Sequence, residues 1–284
     1  MQLFQIYYDE RTRAGLDPAF TPLDNTQPEH PGLYEYGPIR QTLLTKPFKD
    51  DEYLGFFSPR FKDKTGMTGA EVVAQVEKSH ADVISFSPHF ALIALYPNSF
   101  MQGEVGHPEL MRVAQQVMQV LDIPLNLVEM AQDQTRIIFC NYFVAKYRFW
   151  RQWLDLVERV LSLSENQDTL LARRLNAPTS YIRTAHEYPM KIFVLERMVS
   201  VLLEITRTDA EVGADFGRAP LALGSLTKPE EERLLGELMT LDALKGFAAK
   251  THSVAYRKLY VSRRAEFVRA LQAIAQPRMS ARSR

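Results

Sequence analysis

The stretch RIIFCNYFVAKYRFWRQWLDLVERVL, from Arg136 to Leu161, opens as a β-strand and closes as an amphipathic helix. The helical spacing of its apolar residues begins at about Tyr147. Asn141 and Lys146 stand at this join among apolar and aromatic neighbours. An amide and an ammonium in such a place either contact a ligand or satisfy local groups. The stretch therefore predicts both an α/β fold and a candidate site.

The rest of the chain alternates strands and helices in the same way. Strands are predicted at Leu3–Tyr8, Glu52–Phe57 and Asp82–Phe86, as neighbouring, mostly parallel strands in one sheet. The proline-rich segment from Asp9 to Pro31 has no periodic pattern and is predicted to be a long loop. Everything after Lys228 has helical periodicity. The pattern predicts an α/β domain followed by a helical C-terminal part.

Composition excludes several classes of protein. The 284 residues contain 34 Lys and Arg and 34 Asp and Glu, so there is no excess of positive charge for non-specific binding of nucleic acid. Cys140 is the one cysteine, which rules out a disulfide within the chain and a cysteine-based zinc site. The N-terminus lacks a signal-peptide pattern, and the apolar runs are far shorter than the roughly 20 residues of a spanning helix. We expect a cytoplasmic protein with at most peripheral contact at the inner face of a membrane.

Common catalytic motifs do not occur in the sequence. It has no GxGxxG after the first strand, no GxxxxGK[ST], no GxSxG and no HExxH. Asp50 and Asp51 are adjacent, but an acidic pair before a strand indicates a solvated turn more often than a metal site. Dinucleotide oxidoreductases, P-loop NTPases, serine hydrolases and zinc hydrolases are therefore disfavoured.

Three segments together resemble one family. YLGFFSPRF (Tyr53 to Phe61) resembles the aromatic-rich YIGLCHYRRYF segment of bacterial polysaccharide glycosyltransferases. FCNYFVAKYRFWRQWLDLVERVL is similar to that family's NMFIMKKELFDEYCEWLFPILFELE segment, and MKIFVLERMVSVLLEI to its GFLSERLLNIWL segment. The order of the segments is the same, and the resemblance covers roughly residues 1 to 207.

This resemblance implies a nucleotide-diphospho-sugar transferase fold, a Rossmann-like GT-A-like sandwich over residues 1–207, with a helical extension over residues 208–284. The implied activity is transfer of a sugar from a nucleotide-activated donor to a cell-surface polysaccharide, such as lipopolysaccharide or capsule, or to another glycan. The alternative is a non-catalytic binding or scaffold subunit of a polysaccharide assembly, with a degenerate sugar-nucleotide site. The sequence does not predict an oligomeric state.

The chain departs from the family at two motifs. Ser58, Pro59 and Arg60 stand where the family has a histidine and two arginines, so only the arginine and the phenylalanine after it carry over. The family's acidic metal triplet would follow the third strand, where this chain reads SFSP and has Ser87. No metal ligand is therefore assigned, and metal dependence is left open.

Donor-binding candidates lie at the predicted strand ends, where ligands bind in open α/β sheets. Tyr7, Tyr8 and Asp9 end the first strand and suit a base and a ribose, or only lead into a surface loop. Arg40 and Arg60 suit a diphosphate, or form surface ion pairs, whereas Lys62 to Lys64 is interpreted as a solvated loop.

The opening stretch adds two further donor-binding candidates, and Ser87 is the third. Asn141 suits a sugar hydroxyl, or satisfies a local backbone group. Lys146 suits a phosphate, or reaches to solvent along its apolar stem. Ser87 is included because it stands at the end of the third predicted strand.

Glu196 and Arg197 are the catalytic candidates. They stand in the middle of KIFVLERMVSVLLEI, a helix predicted to be apolar on nearly every side, where an unpaired charge is costly. Either both are held in buried ion pairs with other elements, or they line a cavity. The family's SERL motif implies the second: Glu196 as general base for the acceptor hydroxyl, and Arg197 as a contact to the departing diphosphate.

Overall fold

The structure, a computed structural model, describes residues 1–166, 168–180, 187–218, 221 and 227–282. It contains a mixed six-stranded sheet, helices and a helical C-terminal part, so the predicted α/β class with a helical C-terminus is confirmed. In chain order the strands are β1 (Gln2–Tyr7), β2 (Thr21–Asp24), β3 (Tyr53–Phe57), β4 (Val83–Ser85), β5 (Phe143–Lys146), β6 (Pro178–Ser180), β7 (Glu187–Pro189) and β8 (Ala210–Val212).

Helices cover the sheet and form the C-terminal part. They are α1 (Glu10–Ala14), α2 (Tyr36–Thr45), α3 (Phe61–Thr65), α4 (Gly69–Lys78), α5 (Phe90–Leu95), α6 (Ser99–Gly106), α7 (Leu110–Val120), α8 (Tyr147–Glu165), α9 (Leu170–Asn176), α10 (Met190–Glu196), α11 (Met198–Thr206), α12 (Lys228–Thr251) and α13 (Val254–Arg282), with a 3₁₀ turn at Pro31–Leu33. Within the described part of the chain, no helix combines the length and the apolar character needed to cross a membrane.

The six strands lie in the order β2-β1-β3-β5-β4-β8. Strand β1 is parallel to β2 and β3, and β4 is parallel to β8, while β5 is antiparallel to both of its neighbours. Strands β1, β3 and β4 therefore end on the same side of the sheet, which we call the carboxyl edge. Strand β5 begins at that edge and ends at the opposite one.

The position of β5 corrects one prediction. The three strands predicted from the sequence do share a sheet and a direction, but β5 separates β3 from β4. The chain enters β5 through a turn at Cys140 and Asn141, whose φ angles are 60° and 53°. Two consecutive left-handed residues reverse the chain direction, and a strand that follows such a turn can pair antiparallel.

The segment predicted to be a long loop contains regular structure. It holds α1, which is capped by Asp9, and β2, which pairs in parallel with β1 so that Asp24 lies beside Tyr7. Strand β2 lies at the edge of the sheet, where its Pro22 is tolerated because an edge strand has unpaired backbone groups. Strand propensity alone therefore could not predict β2.

The sheet also extends beyond residue 207, where the sequence places the end of the first domain. Strand β8 pairs with β4, with Ala210 opposite Val83. Residues after this predicted boundary thus complete the same sheet.

Aromatic residues of α8 pack into the largest core, as their spacing predicts. Phe149, Trp150 and Trp153 are buried. The ring of Trp150 stacks on Phe143 of β5 at 4.2 Å, and its indole N–H donates to the carbonyl oxygen of Leu54 at 2.9 Å. These contacts fix α8 against the sheet, immediately behind the turn that contains Asn141.

The hairpin of α12 and α13 is held to the sheet domain by hydrogen bonds to the end of α5. Lys245 Nζ donates to the carbonyls of Ile93 and Tyr96. The hydroxyl of Tyr260 donates to Ala94, and the guanidinium of Arg264 donates to Leu95. The last carbonyls of a helix lack partners within it, so these donors satisfy groups that would otherwise be unpaired.

Replacing Lys245 with Met is expected to lower the free energy of unfolding by about 2 to 3 kcal/mol, because two carbonyls and the buried Asp242 lose their partner. Burial lowers the pKa of Lys245 to about 8, which shows that the buried charge itself destabilises the fold. The variant removes this cost, so it should lose less stability than one that breaks a fully favourable buried ion pair. Urea unfolding checks this, with the exposed Lys250→Met on the same helix as control. Equal stabilities would contradict the assigned role.

Candidate functional site

A cavity of about 490 Å³ lies at the carboxyl edge of the sheet. Residues from seven parts of the chain line it: the end of β1, the segment that leads into α2, α3, the turn before β5, α8, β7 and α10. Ligands bind at this edge in open α/β sheets, because the loops that follow the strands gather there. Its aromatic wall consists of Tyr34, Tyr36, Trp153, Tyr188 and Phe193.

Polar groups in the cavity form two hydrogen-bonded sets. The hydroxyl of Tyr8 donates to Glu35 Oε1 at 2.9 Å. Lys64 Nζ donates to Cys140 Sγ at 3.1 Å, and the backbone N–H of Cys140 donates to Glu196 Oε1 at 2.9 Å. One ammonium and two carboxyl groups thus face the same space.

Burial and neighbouring groups shift the pKa of three of these side chains. Burial raises the pKa of Glu35, although the Tyr8 hydroxyl and Lys64 act against it. It raises the pKa of the Cys140 thiol to about 12, so the thiol is neutral at physiological pH. Burial opposes the charge on Lys64, but the hydrogen bond to Cys140 and the nearby carboxyl groups of Glu35 and Glu196 outweigh it and hold the Lys64 pKa above its ordinary value. Lys64 is therefore a stable cation in the cavity.

Glu196 reaches the cavity because the predicted long helix is interrupted. Helix α10 ends at Glu196, and α11 begins at Met198. Between them Arg197 has φ −97° and ψ −3°, and its backbone N–H bonds to Val194, one residue short of the α-helical partner. The tighter turn leaves Glu196 with about a quarter of its side chain exposed, at the cavity wall. Its position agrees with a residue that contacts a ligand.

Arg197 does not line the cavity. Its side chain is buried and donates to the carbonyls of Ser99 at 2.9 Å and Phe193 at 2.8 Å, to Gln102 Oε1 at 3.3 Å and to Glu196 Oε2 at 3.4 Å. A guanidinium whose donors bond to the protein is not available to a diphosphate. The structure therefore assigns Arg197 to the support of the helix break, in contrast to the role implied by the resemblance.

Of the three residues at the end of β1, only Tyr8 lines the cavity. Tyr7 is buried beside Asp24, and a hydrogen bond to that carboxylate raises the Tyr7 pKa. Asp9 accepts from the Thr12 N–H at 2.7 Å and caps α1. Strand β1 ends at Tyr7, and Asp9 already caps the helix that follows, so the three side chains have different surroundings.

The two predicted arginines also lie outside this cavity. Arg40 forms a bidentate pair with Glu158 at 2.7 and 2.9 Å, which joins α2 to α8 and holds its donors. It lines a smaller neighbouring cleft that shares Asn25 and Pro28 with the cavity. Arg60 is exposed at the start of α3. Burial lowers the pKa of His89, and the charges of Lys64 and Arg60 lower it further.

Ser87 is buried, and its hydroxyl accepts from the Phe139 N–H at 2.8 Å. It is therefore a structural residue that holds the segment before β5 against β4. The neighbouring Ser85 and Phe86 provide no carboxylate, so these residues do not fit the metal triplet of the resembling family. In the described residues, no group of three or more His, Cys, Asp or Glu is placed to hold a metal ion.

Asn141 and Lys146 lie at opposite edges of the sheet because β5 runs between them. Asn141 lines the cavity at the carboxyl edge, as predicted. Lys146 pairs in register with Tyr53 at the start of β3, and its ammonium donates to Asp82 at 2.9 Å and to the carbonyl of His80 at 3.2 Å. Lys146 is consequently remote from the cavity.

Sequence reasoning missed Glu35 and Lys64. Glu35 lies just before α2, in a proline- and glycine-rich stretch without a strand to mark it. Lys64 was interpreted as part of a solvated loop, but residues 61–65 form a short helix ended by Gly66 with φ 70°. Gly66, six residues after Arg60, was the available signal, since a left-handed glycine often ends a helix.

Comparison of the chain with protein-family models, with curated proteins and with solved structures found no match in any of the three.

Proposed function

We propose that this chain is a glycosyltransferase that moves a sugar from a nucleotide-activated donor to a glycan acceptor. One observation carries the proposal: a carboxylate, Glu196, and a cation, Lys64, face the same aromatic-walled cavity at the carboxyl edge of the sheet. Glu196 belongs to the segment that resembles the family's SERL motif. A GT-A-like arrangement of the sheet domain is part of this proposal.

The two charged groups have complementary parts in the proposed reaction. Glu196 takes the proton of the acceptor hydroxyl while the oxygen of that hydroxyl bonds to the anomeric carbon of the donor sugar. The bond from that carbon to the diphosphate breaks, and its electron pair leaves with the diphosphate. Lys64 stabilises the negative charge that develops there, in the role that the resemblance assigned to Arg197.

The other cavity residues suit the rest of the donor. Tyr34 and Tyr188 lie against each other with ring centroids 4.9 Å apart, and flat faces of this kind pack against a base or a sugar ring. Asn25, in the segment after β2, joins the cavity to the neighbouring cleft near Arg40. The two spaces together offer room for both the nucleotide and the sugar.

Replacing Lys64 with Met is expected to weaken nucleotide-sugar binding by roughly ten- to a hundredfold, the value of a hydrogen bond to a charged group. The two remaining carboxyl groups would add repulsion. Lys62→Met is the matched control, because Lys62 is exposed on the same short helix. Calorimetric titration with a panel of nucleoside-diphosphate sugars measures both. Equal affinities of the two variants would contradict the assignment of Lys64.

The same titrations test the alternative of a non-catalytic subunit. Binding of a nucleotide sugar without release of nucleoside diphosphate, in the presence of glycan acceptors, would favour a binding or scaffold role. No binding and no rise in melting temperature with any nucleotide sugar would overturn the proposed transferase activity, since a ligand of the native state stabilises it by mass action.

A further inference from the structure

The outward side of α12 carries an apolar surface with opposite charges at its two ends. The buried residues of this helix, such as Leu234, Leu238 and Leu241, recur every three or four positions and fix one side of it to the protein. Exposed residues recur with the same spacing on the other side, and we call them the α12 face: Glu232, Gly236, Met239, Thr240, Ala243, Phe247 and Lys250. The α12 face is about 27 Å long, at 1.5 Å per residue.

The middle of the α12 face exposes large apolar side chains. Met239 is 59% exposed and Phe247 is 54% exposed. The hydroxyl of Thr240 is satisfied within the helix, where it donates to the carbonyl of Gly236 at 3.0 Å. The ring of Tyr256 from α13 stacks on Phe247 with centroids 5.5 Å apart and widens the apolar area. An exposed apolar surface with charged ends is typical of a contact with another molecule.

The charges at the ends indicate which molecule that is. A second copy of α12, running antiparallel about a two-fold axis, brings Glu232 of each copy beside Lys250 of the other. Parallel pairing would instead set Glu232 against Glu232 and Lys250 against Lys250, and like charges repel. The α12 face is therefore complementary to itself in the antiparallel arrangement.

The register that pairs these charges also fits the shapes of the side chains between them. It places Met239 opposite Ala243 and Phe247 beside Gly236 of the other copy. Nothing lies within 4 Å of the point that a Cβ of Gly236 would occupy, so an aromatic ring has room over this glycine. Large side chains thus meet small ones along the contact, as ridges fit grooves between packed helices.

The charge distribution of the whole hairpin supports the same arrangement. The stretch from Ala243 to Ala265, which contains the turn between α12 and α13, holds six Lys and Arg and no Asp or Glu. The stretch from Glu230 to Glu237, near the start of α12, holds four Glu and one Arg. Antiparallel pairing lays the acidic start of one α12 along the basic turn of the other. We propose that two copies of this chain form a symmetric dimer through the α12 face.

Sedimentation velocity over a range of micromolar concentrations tests for the dimer. We expect Phe247→Ser to raise its dissociation constant about tenfold or more, because the exchange removes the largest apolar group of the contact. Val261→Ser is the matched control. Val261 is 58% exposed and lies five positions after Tyr256, so it points to a different side of α13 and its replacement should leave the dimer unchanged.

Charge exchange tests the antiparallel register. Lys250→Glu and Glu232→Lys each replace two attractive pairs with two repulsive ones, so each variant alone should dimerise about tenfold or more weakly. An equal mixture of the two variants restores both attractive pairs and should form a heterodimer as tight as the original dimer. Lys258→Glu, which changes the charge by the same amount outside the α12 face, should dimerise normally.

Three results would overturn the inference. A dimer that Phe247→Ser does not weaken uses another surface, and a mixture of the charge variants that stays monomeric rejects the antiparallel register. A chain that stays monomeric but floats with vesicles of zwitterionic and anionic lipid, and not with purely zwitterionic vesicles, would assign the α12 face and the basic turn to a membrane surface instead.

Discussion

Replacing Glu196 with Gln is expected to reduce sugar transfer by roughly a hundredfold or more, the usual contribution of a general base. Glutamine retains an oxygen that can accept from the Cys140 N–H, so the turn before β5 keeps its anchor. The melting temperature and the affinity for the nucleotide sugar should therefore change little. Release of nucleoside diphosphate, measured with an acceptor present, gives the rate.

The matched control for this variant is Glu204→Gln. Glu204 lies on α11, accepts from the side chain of Gln132 at 3.2 Å and does not line the cavity. Its replacement should leave the rate unchanged. A Glu196→Gln protein that transfers sugar normally, or that unfolds, would show that Glu196 is not the base and that its carboxylate only anchors the Cys140 turn and pairs with the buried Arg197.

Replacing Arg197 with Leu is expected to destabilise the fold by about 3 to 5 kcal/mol. The carbonyls of Ser99 and Phe193 would lose a charged donor, and the break that presents Glu196 would lose its support. Packing around the guanidinium is tight: a Cβ added at Gly103 would lie 2.6 Å from one of its nitrogens. Leucine cannot replace these hydrogen bonds, and the vacated space would remain a cavity.

Urea unfolding of Arg197→Leu measures this effect, with the exposed Arg173→Leu on α9 as control. The result discriminates between the two interpretations of the residue. A variant of normal stability with strongly weakened nucleotide-sugar binding would restore Arg197 as a diphosphate contact. A loss of stability in Arg197→Leu, with none in Arg173→Leu, would confirm the structural role of Arg197.

Local patterns correctly indicated several elements and part of the site. The change from strand to helical periodicity at about Tyr147 marks the start of α8. Glu196 and Asn141 stood out because a polar group among apolar residues needs a partner, and both line the cavity. This reasoning detects that a polar residue needs a partner, but it cannot say whether the partner is a ligand or another part of the protein.

Glu196 and Arg197 illustrate that limit. The two are adjacent in an apolar helix and looked alike in the sequence. The break between α10 and α11 directs Glu196 to the cavity and Arg197 into the core. The break depends on contacts with Ser99 and Gln102, nearly a hundred residues earlier in the chain, which no local pattern contains.

The sequence by itself determined the α/β class, the helical C-terminus, the packing role of the aromatic residues of α8 and the need of Asn141 and Glu196 for partners. All of these follow from propensity, periodicity and the cost of burying polar groups, which act over a few residues. Only the tertiary structure decided that β5 runs antiparallel, which brings Asn141 to the cavity and carries Lys146 to the opposite edge. It likewise placed Lys64, and not Arg60, at the cavity, because strand order and helix placement depend on contacts between distant segments of the chain.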